Sequence, residues 1–178
     1  MRLPMFGVAS LVLVGLLAGP AFGQEVTREE VAGIRNFARV GTTIACAGAI
    51  TAQAVPDIAR MGFSSIINLR LASEPGANVE QEAAAVEAAG IKYFHIPYDG
   101  SADPAVAKQF LDAITSAGVE PAFVHCAGGS RAATMWLIKR IAIDHWDVDR
   151  ATEEAIALGQ GNPAARQFAI EYAQANLR

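Results

Sequence analysis

The chain has 178 residues, with 14 Lys and Arg against 18 Asp and Glu, so its net charge at neutral pH is −4. It contains no basic run, which argues against binding to nucleic acid or to anionic membrane surfaces. The three histidines, His95, His125 and His145, show no metal-ligand spacing and no accompanying carboxylate cluster, so no metal site is expected.

The first 23 residues have the pattern of a secretory signal peptide. Arg2 precedes an apolar run over 6–18, which Gly19-Pro20 and small residues at 21 and 23 follow. A spanning helix needs roughly 20 apolar residues, so this shorter run favours a signal peptide over a membrane anchor. We expect cleavage after Gly23 and a periplasmic or secreted protein without membrane attachment. Residues 24–178 then form a single domain, whose 13 Lys and Arg against 18 Asp and Glu give a net charge of −5.

The rest of the chain has patterns typical of alternating helices and strands. Thr27, with Glu30 three residues later, predicts the start of a first helix, and Asp103 before Pro104 predicts the start of a later one. In chain order, the predicted elements are a helix at 27–40, a strand at 42–45, a helix at 52–61, a strand at 65–69, a helix at 79–89, a strand at 92–96, a helix at 104–116, a strand at 122–125, and helices at 132–143, 149–158 and 163–176. This alternation predicts an α/β fold with a mostly parallel central sheet flanked by helices.

Three loops are expected to meet at one edge of this sheet. Right-handed crossovers place the C-terminal ends of parallel strands together, where α/β proteins bind ligands. The segments 70–74, 98–103 and 126–131 each follow a predicted strand. The sequence therefore predicts a functional site built from these three segments.

The segment 125–131 carries the strongest chemical pattern, because it reads HCAGGSR between an apolar strand and an apolar helix. Its two glycines allow a sharp turn with the backbone amides facing inward. The helix that follows adds free amides and the positive end of its dipole, and Arg131 adds a forked donor suited to oxyanions. Cys126 is expected to be held there as a thiolate. The alternative is a buried structural cysteine before an ordinary glycine turn.

Several further segments carry a family resemblance. They are Ile34-Arg35-Asn36-Phe37 with Val40, Ala47-Gly48, 66–70 with Glu74, 90–93, 95–97, 125–131 and 151–155. Through these segments the chain resembles, from about Ile34 to Gly159, the cysteine-dependent phosphatases of the dual-specificity and tyrosine phosphatase superfamily. More narrowly, it resembles the bacterial beta-lactamase-hydrolase-like, phosphatase-like domain. The resemblance implies a cysteine-phosphatase fold and a phosphorylated protein or small molecule as substrate, with no cofactor.

The resemblance also implies a two-step mechanism. Cys126 would attack phosphorus and form a phosphocysteine, while Arg131 and the loop hold the other phosphate oxygens. The loop residues that would bind substrate are Ala127, Gly128, Gly129, Ser130 and Arg131.

Asp99 is the third catalytic residue in this interpretation, as the candidate acid that protonates the leaving oxygen. Asp103 is the runner-up, and the alternative for Asp99 is a turn residue. His125 and Arg70 have supporting roles. His125 would orient the loop. Arg70, with Glu74, would order the loop beside the site or contact substrate, and a surface ion pair is the alternative.

Two departures from the superfamily pattern leave other functions open. Four residues separate Cys126 from Arg131 instead of five, and Ala132 stands where Ser or Thr is usual. The short spacing also resembles single-domain rhodaneses, so a sulfurtransferase or persulfide carrier using Cys126 is a second hypothesis. A third is a non-catalytic or redox-gated domain with a Cys46–Cys126 disulfide, although core burial of Cys46 is favoured.

Overall fold

The computed structural model describes residues 25–178, so the predicted signal peptide lies outside the described residues. Within that range, six strands form one sheet, in the order β1-β2-β3-β6-β4-β5. β2 pairs with β1 on one side and with β3 on the other, both in antiparallel fashion, and β3, β6, β4 and β5 run parallel. The strands are β1 Val26–Val31, β2 Ile34–Val40, β3 Ile44–Ala47, β4 Ser65–Asn68, β5 Lys92–His95 and β6 Ala122–His125.

Helices cover both faces of the sheet, so the predicted α/β architecture is confirmed. Two of them pack on one face and four on the other. They are α1 Val55–Arg60, preceded by a 3₁₀ turn at Ala52–Ala54, α2 Val79–Ala88, α3 Pro104–Ile114, α4 Ser130–Ala142, α5 Val148–Ala157 and α6 Pro163–Ala175. None of the helices in this part of the chain is long and apolar enough to span a membrane.

The helix predicted over 27–40 is wrong, because this segment forms the β1–β2 hairpin. The hairpin turns at Ala32-Gly33, where Gly33 has a φ of +76°. A Cβ at Gly33 would also lie 2.5 Å from the hydroxyl oxygen of Thr51. The β-branched residues on either side of the turn suit paired strands. Gly33 lies in the middle of the predicted helix, and its left-handed conformation is incompatible with a continuous helix. The segment therefore forms a hairpin in spite of the capping-box pattern at Thr27.

The hydrophobic core lies in two layers, one on each face of the sheet. Along β6, Phe123 packs with α1 and α2, whereas Val124 packs with the helices of the other face. α4 is the central helix of that second layer, and every residue from 132 to 142 is buried. The loop that joins β6 to α4 therefore connects two of the most deeply buried elements, which gives it a rigid frame.

Candidate active site

The loop 126–131 lies at the C-terminal edge of the sheet, between β6 and α4. β6 is flanked on both sides by parallel strands, so its end is fixed by two ladders of hydrogen bonds. The amide of Cys126 continues this pattern and donates to the carbonyl of Ala47, at 3.2 Å. The Cys126 sulfur accepts a hydrogen bond from the Gly129 amide, at 3.1 Å. The loop therefore folds back around the thiol, and the cysteine side chain lies at its centre.

Two carbonyl groups of the loop are held on its outer side. The Ala127 carbonyl accepts from the Ala49 amide at 3.1 Å. The Gly128 carbonyl accepts from the side-chain amide of Asn36, which lies on β2, at 3.0 Å. Because the carbonyl and amide of one peptide unit point in opposite directions, these contacts turn the following amides toward the inside of the loop. The Gly129 amide faces the sulfur as the predicted cradle requires, and part of its support comes from Asn36, a contact that the sequence analysis did not predict.

Arg131 joins all three segments that were predicted to meet at this edge. Its Nη1 donates to the Leu69 carbonyl at 3.4 Å, to Glu74 Oε1 at 2.7 Å and to the Tyr98 carbonyl. Burial alone would lower the pKa of Arg131, but the hydrogen bond to Glu74 and the nearby Cys126 raise that pKa above its ordinary value. These oxygen contacts all come from Nη1, so the other edge of the guanidinium has no oxygen partner among the described residues.

Glu74 is the residue that fixes the position of Arg131. Its Oε1 also accepts from the Leu71 amide at 3.1 Å, and its Oε2 accepts from Arg70 Nε at 3.2 Å. The hydrogen bond from Arg131, followed by those from Leu71 and Arg70, lowers the pKa of Glu74 from 4.5 to about 2. A carboxylate that accepts from two arginines is ionised at any pH at which the site would work.

Arg70 orders its own segment, 70–76, which lies next to the loop 126–131. Besides Glu74, it donates to the carbonyls of Pro75 and Gly76, at 2.7 and 2.8 Å. Its side chain is only 5% exposed, whereas Glu74 and Arg131 both line the open cavity. Of the two roles that the sequence left open for Arg70, this geometry favours ordering of the loop over contact with substrate.

The two candidate acids have different positions. Asp99 is exposed and lines the cavity together with Arg131. Its Oδ1 accepts from the Ser101 amide at 2.8 Å, and the hydrogen bonds from Ser101 together with the charge of Arg131 lower its pKa. Asp103 instead caps α3, because its Oδ1 accepts from the amides of Ala105 and Val106. The position in the cavity favours Asp99 as the acid, and the predicted cap at Asp103 is confirmed.

His125 lies directly behind the loop and is fully buried. Its Nε2 makes a 2.9 Å hydrogen bond to Oε1 of Glu82, on α2, and its Nδ1 has no partner among residues 25–178. Glu82 is itself only 3% exposed. The sequence analysis had placed Glu82 in an alanine- and glutamate-rich helix and gave no sign that this glutamate, unlike its exposed neighbours, would be buried against the histidine.

An open cavity of about 670 Å³ lies over the loop. It is lined by Leu71, Glu74, Asp99, Gly100, Ala127, Ser130, Arg131, Gly161 and Asn162. Gly161 and Asn162 come from the connection between α5 and α6, and the Gly161 amide donates to the Ser130 hydroxyl at 3.2 Å. The sequence analysis missed this fourth segment, since it follows a helix and the edge rule considers only segments that follow strands. No group of three or more His, Cys, Asp and Glu side chains in residues 25–178 is placed to hold a metal ion.

Both cysteines are free and buried in the structure. Cys46 lies on β3 opposite Val124, so its side chain shares a sheet face and a core layer with Cys126. Burial, followed by the nearby Cys126, raises the pKa of Cys46 well above its ordinary value. The favoured expectation of core burial for Cys46 is confirmed, and the alternative Cys46–Cys126 disulfide is not formed in this structure.

The comparisons with known proteins agree with this geometry. A family model described as "Beta-lactamase hydrolase-like protein, phosphatase-like domain" matches residues 36–143. A beta-lactamase hydrolase-like protein from Agrobacterium fabrum is 34% identical over 105 residues, which cover 56% of this chain and 24% of that protein. This chain therefore matches about a quarter of the length of that relative.

Solved structures share the fold at low sequence identity. A putative phosphatase from Shewanella putrefaciens superposes with a TM-score of 0.67 at 19% identity, covering 82% of this chain and 96% of that chain. P. aeruginosa TpbA in complex with pTyr gives 0.61 at 19% identity, with 88% and 91% covered. The core catalytic domain of the PP-IP phosphatase SIW14 from S. cerevisiae gives 0.63 at 19% identity, with 80% and 88% covered. By its family match over more than half of its length, the chain belongs to the beta-lactamase hydrolase-like protein, phosphatase-like domain family.

Proposed function

We propose that the chain is a cysteine-dependent phosphatase that hydrolyses a phosphate monoester at Cys126. The observation that carries the proposal is the folding of the loop around the Cys126 sulfur, with Arg131 hydrogen-bonded to both neighbouring segments. An anion bound in this loop would meet inward amides, the N-terminus of α4 and a guanidinium. Family membership and the phosphatase folds of the structural neighbours support the same conclusion.

The proposed reaction has two steps. The Cys126 thiolate attacks phosphorus, so the sulfur–phosphorus bond forms while the bond from phosphorus to the leaving oxygen breaks. Asp99 gives its proton to that oxygen. Water then attacks the phosphocysteine and Asp99 takes a proton from it, which releases phosphate and restores the thiolate. Arg131 and the loop amides hold the three equatorial oxygens in both steps.

The structure offers a substitute for the hydroxyl that Ala132 lacks. Ala132 is fully buried in the first turn of α4 and carries no donor. The Gly129 amide already donates to the Cys126 sulfur, so a backbone group supports the leaving thiolate in the second step. A hydrogen bond to a charged sulfur is stronger than one between neutral groups. The missing hydroxyl is therefore compatible with turnover.

Asp99 needs a bound substrate before it can act as an acid. Its pKa is lowered, first by the hydrogen bonds from Ser101 and further by Arg131, so the group is a carboxylate at neutral pH. A phosphate dianion bound beside it adds two negative charges, which favour the protonated form. The substrate thus brings the acid into the protonation state that the first step requires.

The finer substrate assignment is a phosphatase of the tyrosine or dual-specificity type. The cavity is open and wide, so it can admit a phosphoryl group carried on an aromatic ring or on a protein side chain. The complex of TpbA with pTyr supports an aryl phosphate as the first substrate to test. We also propose that the protein acts in the periplasm or outside the cell, since the pattern of residues 1–23 is that of a signal peptide.

The test is turnover of an aryl phosphate by the reduced protein, with Cys126→Ser and Cys46→Ala as a matched pair of thiol variants. We expect Cys126→Ser to abolish phosphate release and Cys46→Ala to retain it, because Cys46 faces the core. Cyanide-dependent sulfur transfer from thiosulfate is measured in parallel. Sulfur transfer without phosphate release would replace the proposed function by that of a rhodanese-like sulfurtransferase.

A further inference from the structure

Asn36 stands at a backbone irregularity beside the loop. Between the pairs Glu29–Phe37 and Val31–Ile34 the register of the hairpin shifts, so Arg35 and Asn36 together face one residue of β1. Asn36 takes the left-handed conformation there, with a φ of +49°. Such bulges bend a strand and redirect a side chain, and asparagine tolerates the left-handed region better than most residues. The bulge turns the Asn36 side chain away from its own hairpin.

The Asn36 side chain contacts the peptide unit whose N–H donates to the Cys126 sulfur. Asn36 Nδ2 donates to the Gly128 carbonyl at 3.0 Å, and the Gly129 amide donates to the Cys126 sulfur at 3.1 Å. The Gly128 carbonyl and the Gly129 amide belong to the same peptide group. A donor on the oxygen of a peptide polarises it and strengthens the hydrogen bond made by its N–H. One peptide therefore links the Asn36 amide to the sulfur.

We propose that Asn36 is a positioning residue for the nucleophile: through the Gly128–Gly129 peptide it orients and strengthens the hydrogen bond to the Cys126 sulfur. The inference rests on the proposed role of Cys126 in catalysis and adds a residue outside the loop to that role. Asn36 is exposed and contacts no reacting atom, so it acts only through the peptide.

The loop has a second attachment that does not depend on Asn36. The Ala127 carbonyl is held by the backbone amide of Ala49, and the Cys126 amide is held by Ala47. A change at Asn36 therefore leaves the start of the loop in place and removes only the support of the Gly128–Gly129 peptide. The other ionisable groups around the thiol are Arg131 with Glu74 and Asp99 at the cavity, Cys46 on β3, and the His125–Glu82 pair behind the loop.

The experiment measures the rate at which iodoacetamide alkylates Cys126, as a function of pH, in the full chain. Mass spectrometry of the Cys126 peptide separates this thiol from Cys46. Asn36→Gly deletes the side-chain amide and still permits the left-handed backbone. Asn36→Asp keeps the shape and replaces the donor by an acceptor. Asn176→Ala is the matched control, because it removes an exposed asparagine that donates to the Tyr172 carbonyl at the far end of α6.

We expect both Asn36 variants to be alkylated more slowly at neutral pH, roughly threefold to tenfold, as the loss of one hydrogen bond of ordinary strength implies. Their rate profiles should move to higher pH, and the Asn176→Ala profile should stay with the wild type. Folded Asn36→Gly and Asn36→Asp proteins with wild-type profiles would overturn the inference. Because alkylation needs no turnover, a shifted profile in a protein without phosphatase activity supports the role of Asn36 and contradicts only the proposed function.

Discussion

At the scale of single residues, the site depends on how charge is distributed around one sulfur. Arg131 faces the cavity, and Glu74 and two backbone carbonyls hold it there. The Gly129 amide approaches the sulfur from the other side. Asp99 is the exposed member of the group, so it can exchange protons with solvent. The side chains of Arg131, Glu74 and Asp99 make different contacts, so each can be tested by its own substitution.

Replacing Asp99 by Asn removes the proposed acid. Hydrogen bonds from Ser101, and then the charge of Arg131, lower the pKa of Asp99, so its protonated fraction falls as pH rises. We expect kcat to fall about 100-fold or more for phenyl phosphate and much less for p-nitrophenyl phosphate, whose leaving group needs no proton. The decline of kcat on the alkaline side should also disappear. Asp103→Asn is the control, since Asn caps a helix as well as Asp does. Loss of activity in Asp103→Asn instead would assign the acid to Asp103.

Replacing Glu74 by Gln should change the dependence of stability on pH. The pKa of Glu74 is about 2 in the folded protein against 4.5 ordinarily, so its contribution is complete above pH 4.5 and is lost as pH falls toward 2. We expect Glu74→Gln to lower the free energy of unfolding by about 1–2 kcal/mol at neutral pH, and the difference from wild type to shrink between those two values. Denaturant unfolding at several pH values measures it. Glu87→Gln, at an exposed position of α2, is the control, and a Glu74 difference that does not depend on pH would contradict the assignment.

At the scale of elements, the loop 126–131 is supported by the turn that follows β3. Gly48 pairs with Gly128 across this contact, and the Gly48 amide donates to the Arg35 carbonyl at 2.7 Å. A Cβ on Gly48 would lie 3.0 Å from the carbonyl oxygens of both Ala127 and Arg35. A side chain at this position would be closer than an ordinary contact to both carbonyls, so the hairpin or the loop would have to shift to admit it.

We expect Gly48→Ala to push the loop away from β2. The free energy of unfolding should fall by about 1–3 kcal/mol, as for other overpacked positions, and kcat should fall with it. Gly128→Ala is the control for stability, since no atom of residues 25–178 other than those of its chain neighbours lies within 4 Å of its added Cβ. Denaturant unfolding compares the two variants. Equal stability of the two would contradict the packing argument.

The elements also show where sequence patterns succeed and where they fail. The buried strands β4 and β6 and the capped helix α3 were predicted within one or two residues, because apolar runs and caps are local signals. The hairpin was missed, since its turn depends on Gly33 and on the contact of that glycine with Thr51. The support from Asn36 was missed for the same reason: it depends on a bulge between two strands that the sequence analysis had placed in a helix.

At the scale of the whole molecule, the parallel half of the sheet brings distant segments to one edge. Parallel strands end at the same edge of a sheet, and this rule was enough to predict that the segments around Arg70, Asp99 and Cys126 would meet. The contacts of Arg131 confirm that they do. The rule could not place Gly161 and Asn162, which reach the cavity by the packing of α6 against α4. Contacts set by helix packing leave no periodic signal in the sequence.

The predicted signal peptide determines where the mature protein begins and where it is found. We expect the exported protein to begin at Gln24, because the small residues at 21 and 23 suit a signal peptidase. Mass spectrometry of the protein isolated from cell fractions measures the N-terminus. Deletion of residues 2–23 should keep the protein in the cytoplasm. An intact N-terminus in the membrane fraction would show that the segment is an anchor.

The central claim is that Cys126 carries the phosphoryl group during turnover. Rapid acid quenching during hydrolysis of an aryl phosphate, followed by mass spectrometry of the Cys126 peptide, tests it most directly. We expect one phosphoryl group on Cys126 in the wild type and none in Cys126→Ser. Steady release of phosphate with no label on Cys126, or release that persists in Cys126→Ser, would contradict the account.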